Sequence, residues 1–208
     1  MHGLNGLTPT ASYAIYRSYV LPRFLYGLGS VVLNVKQIAS LERSHRKILH
    51  QIQALPQRTA SAAIHLLIGS LPMEAHYHLS QLSLLTSLLF SENTTLIGLC
   101  ERQIAVKSYR SKSWFSNISK VLDKYGLPSV SSLLDSSMSK QHMKATLKKA
   151  VHDHWVNLLH TECQAKKSLQ LVKFNTHKPH PVWTTVAHNT HDSRRATIKA
   201  KILTGTYL

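Results

Sequence analysis

An all-α fold is what this sequence predicts, and three observations predict it. Apolar residues recur every three or four positions over long stretches. Helix-start and helix-stop residues punctuate those stretches. No run alternates apolar and polar residues long enough to be a half-buried strand. With 208 residues, 43% of them hydrophobic, the chain can bury a core as one large or two small multi-helix bundles.

Thr8 and Pro9 supply an N-cap and a first helical position for a helix through "TPTASYAIYRSYV". In Val35–Leu55 the residues Ile38, Leu41, Ile48 and Ile52 recur at helical spacing and are expected inside, with His45 filling the gap in their stripe. Pro56 cannot continue that helix, so it ends near Leu55. Thr59–Ile68 is a short apolar helix stopped by Gly69. The next helix starts around Pro72 and Glu74 and shows a broad face of Leu79, Leu82, Leu85, Leu88 and Leu89. Helices are also expected over Thr95–Lys107 and Ser113–Tyr125, the latter ended by Gly126-Leu127-Pro128. The Ser-rich stretch 129–139 reads as a joint. Ser139 then caps a long helix to about Cys163, whose apolar row is Met143, Leu147, Val151, Trp155 and Leu158. Residues 174–192 are irregular, and Asp192 or Ser193 opens a last helix closed by Gly205.

Charge sets the class of partner. Lys and Arg number 25 against 9 acids, a formal net charge of +16. Such an excess calls for a polyanion, with nucleic acid first and an anionic membrane surface second. "YVLPRFLYGLGSVVLNV" (19–35) is too short and too broken by Arg23, Pro22 and glycines to span a bilayer. An arginine near the bilayer centre costs about 2.5–3.5 kcal/mol on insertion scales. The stretch is therefore expected in the core, with no membrane partner. Two cysteines, Cys100 and Cys163, and no signal-peptide pattern point to a reduced intracellular chain, in cytoplasm or nucleus.

The basic residues gather on helical faces. Arg43, Arg46 and Lys47 lie off the apolar stripe of their helix, with Arg58 beyond the turn. Lys140, Lys144 and Lys148 form one row, with Lys149 alongside. Arg194, Arg195, Lys199 and Lys201 line the last helix. A single basic face is ordinarily solvated surface. Three faces with only Glu42, Asp153 and Asp192 near them fit phosphate binding better. Trp183, in the irregular segment, is the tryptophan placed to stack on a ligand.

Chemistry is harder to find. Histidines number 14, but His76/His78 and His152/His154 are two apart on helices and diverge. His177-x2-His180 and His188-x2-His191 have looser loop spacing, without the cysteines or carboxylates a zinc site usually recruits. No metal, cofactor or catalytic residue is therefore assigned, and no nucleophile elbow, P-loop or zinc-protease motif occurs.

The words of the sequence then add to its statistics. "YVLPRFLYGL", "LERSHRKILHQIQALPQRTA", "LLIGSLPMEA" and "QLSLL" occur in that order, succeeded by "RQIAVK", "SWFSNISKVLDKYGLPS", "KKSLQLVKF" and "KAKILTGTYL". Together they resemble the region after the palm in reverse transcriptases of non-LTR (LINE-like) retrotransposons, over about Tyr13 to Leu208. The resemblance implies a thumb-like helical bundle with additional helices in 8–126, a Ser-rich joint at 127–138 and a helical connector in 139–208 that leads toward a zinc knuckle. It implies binding to RNA, DNA or their hybrid and a missing palm domain as partner. The Tyr-x-Asp-Asp motif of such palms is not in this chain, so the piece itself is expected to be non-catalytic. Gly29 departs from the family, which often has an acid after Tyr-Gly-Leu. Two other readings stay open: a helical protein–protein interaction module, and an inert translated relic of a transposon.

Overall fold

A computed structural model describes residues 7–106, 111–169, 172, 178–186 and 189–207. The fold is all-α, with no strand among the described residues. The chain forms two compact units. The first holds residues 1–24, 36–73 and 155–208, and the second holds residues 25–35 and 74–154.

The first unit contains α1 (Pro9–Ile15), most of α2 (Leu21–Leu25), nearly all of α3 (Val35–Gln53), α4 (Ser61–Ile68), α10 (Pro181–Thr184) and α11 (Thr190–Leu203). Thr8 caps α1 as expected, its hydroxyl accepting the Ala11 amide at 3.3 Å. Every residue of α4 from Ala62 to Ile68 is buried, as a helix apolar on all sides must be. It ends at Gly69 in the left-handed conformation, φ 71°. A side chain there would also meet the Pro179 nitrogen at 3.1 Å.

α3 buries one face, but not quite the predicted one. His45, Leu49, Ile52 and Gln53 are buried, whereas Ile38, Leu41 and Ile48 are only half-buried. The buried stripe thus sits one helical step away, on Leu49 rather than Ile48, and it includes two polar residues. Gln53 is satisfied there: its amide donates to the Ile64 carbonyl at 3.0 Å and its oxygen accepts the Trp183 indole N–H at 3.1 Å. That bond ties α3, α4 and α10 together. It also corrects the reading of Trp183, which is 1% exposed and offers no face to a ligand.

The second unit contains most of α5 (Met73–Leu89), α6 (Thr94–Val106), α7 (Trp114–Lys124), α8 (Val130–Leu134) and the first part of α9 (Lys140–Gln164). The boundary between units falls inside α9, between His154 and Trp155. Ser139 bonds the first turn of α9, as predicted, and Ser113, read as the first residue of α7, instead caps it. The Ser-rich stretch holds the short α8, which buries Val130 and Leu133. On α9 the row Met143, Leu147, Val151 and Trp155 is buried. It continues through Leu159 and Cys163, while Leu158 is exposed. On α5, Leu82 and Leu85 are buried and Leu79, Leu88 and Leu89 half-buried. α11 opens earlier than predicted: Asn189, not Asp192 or Ser193, caps it by accepting the Asp192 amide at 2.7 Å. Asn189 carries no apolar neighbours, so no hydrophobic signal marks that start.

Residues 19–35 do not form the expected core segment. Leu21 is buried, but Tyr26 is 89% and Val35 83% exposed. A π-helical turn, a proline, left-handed Gly27 and a short 3-10 turn succeed one another there, so no single apolar face persists. Gly29 fits its place for a steric reason. A Cβ on it would meet the Ser80 hydroxyl at 2.8 Å and the Ser80 carbonyl at 3.1 Å. Its own carbonyl accepts the Trp114 indole N–H at 2.7 Å. No helix among the described residues is long and apolar enough to cross a membrane.

Candidate nucleic-acid interface

α3 presents its basic side chains in two rows, each one turn long: Arg43 with Lys47, and Arg46 with His50. The turn beyond α3 brings the chain back beside them. Ala54 takes the left-handed conformation, φ 50°. The Leu55 amide donates to the His50 carbonyl at 3.1 Å and the Ala54 amide to the Gln51 carbonyl at 3.2 Å. This pair of bonds is a Schellman closure, with proline in its usual place just beyond. The stop read at Leu55-Pro56 therefore begins at Gln53.

The result is a cleft of about 780 Å³. Arg43, Arg46, Lys47 and His50 form its α3 side, Gln57, Thr59 and Ser61 its turn side, and Thr197 and Lys201 of α11 complete it. Arg43 and Lys47 are exposed and Lys201 half-exposed. Arg46 is held in place: one guanidinium nitrogen donates to the Ser61 hydroxyl at 2.8 Å, and its Nε lies 3.7 Å from Glu42. A cation fixed before binding loses less entropy when an anion arrives.

Glu42 is the acid closest to this group, and its charge is directed inward. It accepts the His65 Nε2 at 3.1 Å and the Met73 amide at 2.6 Å. Burial alone would lift its carboxyl, but the His65 hydrogen bond and charge, the Met73 amide and His45 together hold it below its ordinary value. The cleft therefore keeps a net positive field. Burial pushes the His50 imidazole below its ordinary value, and Arg46 adds to that, so His50 is neutral near pH 7.

No protein-family model matches the chain, and no curated protein or solved structure matches it. The site's chemistry rests on its own geometry.

The other predicted residues are spread over both units. Arg58 turns away from the cleft and donates to the Thr206 carbonyl at 3.1 Å, which makes it a tether for the chain end. α11 divides its cations between two rows. Lys201 shares the first with Thr197 and faces the α3 cleft. Arg195 and Lys199 share the second and line a groove with His180, Val182 and Val186. Arg194 is exposed and lines neither. In the second unit Lys140, Lys144, Lys148 and Lys149 are exposed along α9.

Sequence reasoning missed His50, Gln57, Ser61 and Thr197 as wall residues. Only the Glu42–Arg46 spacing of four was visible in advance as a pairing signal. Among the described residues no group of three His, Cys, Asp or Glu side chains converges as a metal site. His177 and His188 lie outside the described residues. His180 caps α10, its Nδ1 accepting the Val182 amide at 3.1 Å.

One constellation has the outline of a catalytic relay. The Tyr16 hydroxyl meets His45 Nδ1 at 2.6 Å, and His45 Nε2 lies 3.2 Å from the Ser70 hydroxyl. The same Nε2 is 3.1 Å from the Leu71 carbonyl. A carbonyl only accepts, so Nε2 carries the proton and Nδ1 accepts from Tyr16. The ring then has no lone pair facing Ser70. His45 is 0% and Ser70 3% exposed, so these groups satisfy one another in the core and activate no nucleophile. Burial, with the nearby Tyr13 and Glu42, pushes the Tyr16 phenol above its ordinary value, which keeps it a donor.

Proposed function

We propose that the chain binds nucleic acid non-catalytically, through phosphate contacts with little sequence preference, and that the α3–α11 cleft is the centre of that grip. The observation that carries this reading is the arrival of Lys201, from the far end of the sequence, beside Arg43, Arg46 and Lys47. Neutral hydrogen-bonding groups stand between these cations, and Glu42 is turned to His65 and Met73. Cations fixed around neutral donors suit a chain of phosphates, which needs both charge and hydrogen bonds along its length. The formal net charge of +16 supplies long-range attraction to the same partner.

The sequence resemblance supplies the biological setting of the proposal. The chain would be the piece of a non-LTR retrotransposon reverse transcriptase that comes after the palm, with RNA, DNA or their hybrid as ligand and the palm as intramolecular neighbour. Its place would be inside the cell, with the parent polymerase.

The test is fluorescence polarisation with mixed-sequence single strands, duplexes and hybrids. Lys201→Glu should weaken binding as much as Lys47→Glu does, because both cations face one cleft. Each loss should remove about 0.9 unit from the log–log salt slope on duplex DNA. A Lys201→Glu chain that binds like the parent would refute the cleft.

A further inference from the structure

Within the second unit, α5 and α9 face each other across a slot of about 250 Å³. Leu79, Leu82 and Leu147 wall it, and Ser83 stands at its lip. Lys144 and Lys148 rim it, one helical turn apart. Leu82 and Leu147 are buried, whereas Ser83 and both lysines are exposed. The remaining polar wall group, Thr86, already donates its hydroxyl to the Leu82 carbonyl at 2.8 Å.

This combination does not suit a phosphodiester chain. The lysines offer charge, but a base placed in the slot would leave its polar edges without partners, which is costly in an apolar site. Water finds few partners there as well. An aliphatic or aromatic side chain loses nothing by entering, and a cavity of roughly 150 Å³ already takes a benzene ring. Carboxylates beside such an anchor would meet Lys144 and Lys148. Lys140 and Lys149 extend the positive edge, and Asp153 is the one acid of this unit's stretch of α9.

We propose that the slot takes the apolar anchor of an acidic amphipathic helix from another polypeptide, its carboxylates one turn apart pairing with Lys144 and Lys148. Charge complementarity selects an acidic partner, and the helical spacing of the two lysines selects a helix. The occupant is not a second copy of this chain. Its nine acids stand at 42, 74, 92, 101, 123, 135, 153, 162 and 192, and no two are three or four apart. No helix of this protein therefore presents the required pair.

The test uses the full chain and a labelled helical peptide with a central Leu and, beside it on the same helical face, two Glu four residues apart. Anisotropy should saturate. Changing the peptide's Leu to Ser should weaken binding roughly tenfold or more, the effect of losing one buried leucine. Ser83→Phe fills the slot while keeping both lysines, and should weaken the peptide equally with the melting temperature unchanged. Lys144→Glu/Lys148→Glu should abolish binding. A peptide that binds as well with Ser at its centre would overturn the proposal, because charge alone would then suffice. So would a Ser83→Phe chain with full peptide affinity. So would a duplex oligonucleotide that displaces the peptide and itself loses affinity in the double-lysine variant, which would give the rim to phosphates.

Discussion

The α3–α11 cleft and the α5–α9 slot are both edged by cations one helical turn apart, Arg43 with Lys47 in one and Lys144 with Lys148 in the other. In the sequence the two pairs look equivalent. What lies between the charges separates them. The cleft is lined by Gln57, Thr59, Ser61, Thr197 and a neutral His50, with Ala54 and Leu55 its apolar groups, whereas the slot is walled by three leucines, with Ser83 at its lip and the Thr86 hydroxyl bonded within α5. A basic row specifies an anion and no more. The groups beside it decide whether the anion arrives as a string of phosphates or as carboxylates flanking an apolar anchor.

The largest effect expected from this difference is on affinity. Arg43→Glu/Lys47→Glu/Lys201→Glu should lower oligonucleotide affinity roughly hundredfold at low salt. Lys144→Glu/Lys148→Glu should leave it nearly unchanged in the same filter-binding assay. Equal losses in both variants would erase the distinction.

Each unit holds a histidine, half-buried or buried, that should make it sensitive to acid. In the second unit His78 is buried against Tyr125, its Nδ1 2.7 Å from the phenol oxygen. Burial, with Lys124 and His154 nearby, pushes its pKa from 6.5 down to about 4, against the pull of Glu74. An unfolded histidine takes its proton first, near 6.5, so stability is complete above that pH and falls as pH drops toward 4. At 1.36 kcal/mol per unit the loss is about 3 kcal/mol. In the first unit the depressed His50 imidazole acts in the same direction from about 6.5 downward, and the depressed Glu42 carboxyl only below its ordinary value of 4.5. Urea melts from pH 7 to 4 should therefore show an early acid limb that His78→Gln flattens. A limb that survives His78→Gln intact would assign it elsewhere.

Smaller effects probe the backbone. Gly29→Ala should cost about 1–3 kcal/mol, as crowding in packed sites does, because the new methyl meets the Ser80 hydroxyl and carbonyl. It should leave oligonucleotide affinity untouched, since Gly29 belongs to the second unit. Ala54→Gly should stabilise the chain by up to about 1 kcal/mol by relieving a left-handed alanine. Thermal melts read both, and a destabilised Ala54→Gly chain would mean that the alanine methyl packs more than it strains.

Much of the fold is legible in the sequence because its signals are local. Thr8 and Ser139 cap the helices their positions predict, and Gly69 and Gly205 close theirs in the left-handed conformation. His45 lies inside the α3 stripe, as its spacing predicts. Errors come where neighbours decide. Ile48 and Leu49 are equally apolar, yet only Leu49 is buried, on the face from which Gln53 bonds α4 and α10. Gln53 and Trp183 look like surface and ligand-facing residues, yet each satisfies the other in the core. Residues 19–35 have core composition but a broken backbone, so half their apolar groups turn outward. The cations are all visible in the sequence, but which of them share a cleft is not. Lys199 and Lys201 differ by two positions, and that step turns them toward different walls.

Whether the cleft, and not the slot, holds the phosphates is decided by the salt dependence of duplex binding. Three chains are compared side by side: the parent, Arg43→Glu/Lys47→Glu/Lys201→Glu, and Lys144→Glu/Lys148→Glu. A grip centred on the cleft gives a log–log slope shallower by about 3 units in the cleft variant, since each contact contributes about 0.9, and a parental slope in the slot variant. A parental slope in the cleft variant, or an equal drop in both, would place the phosphates elsewhere.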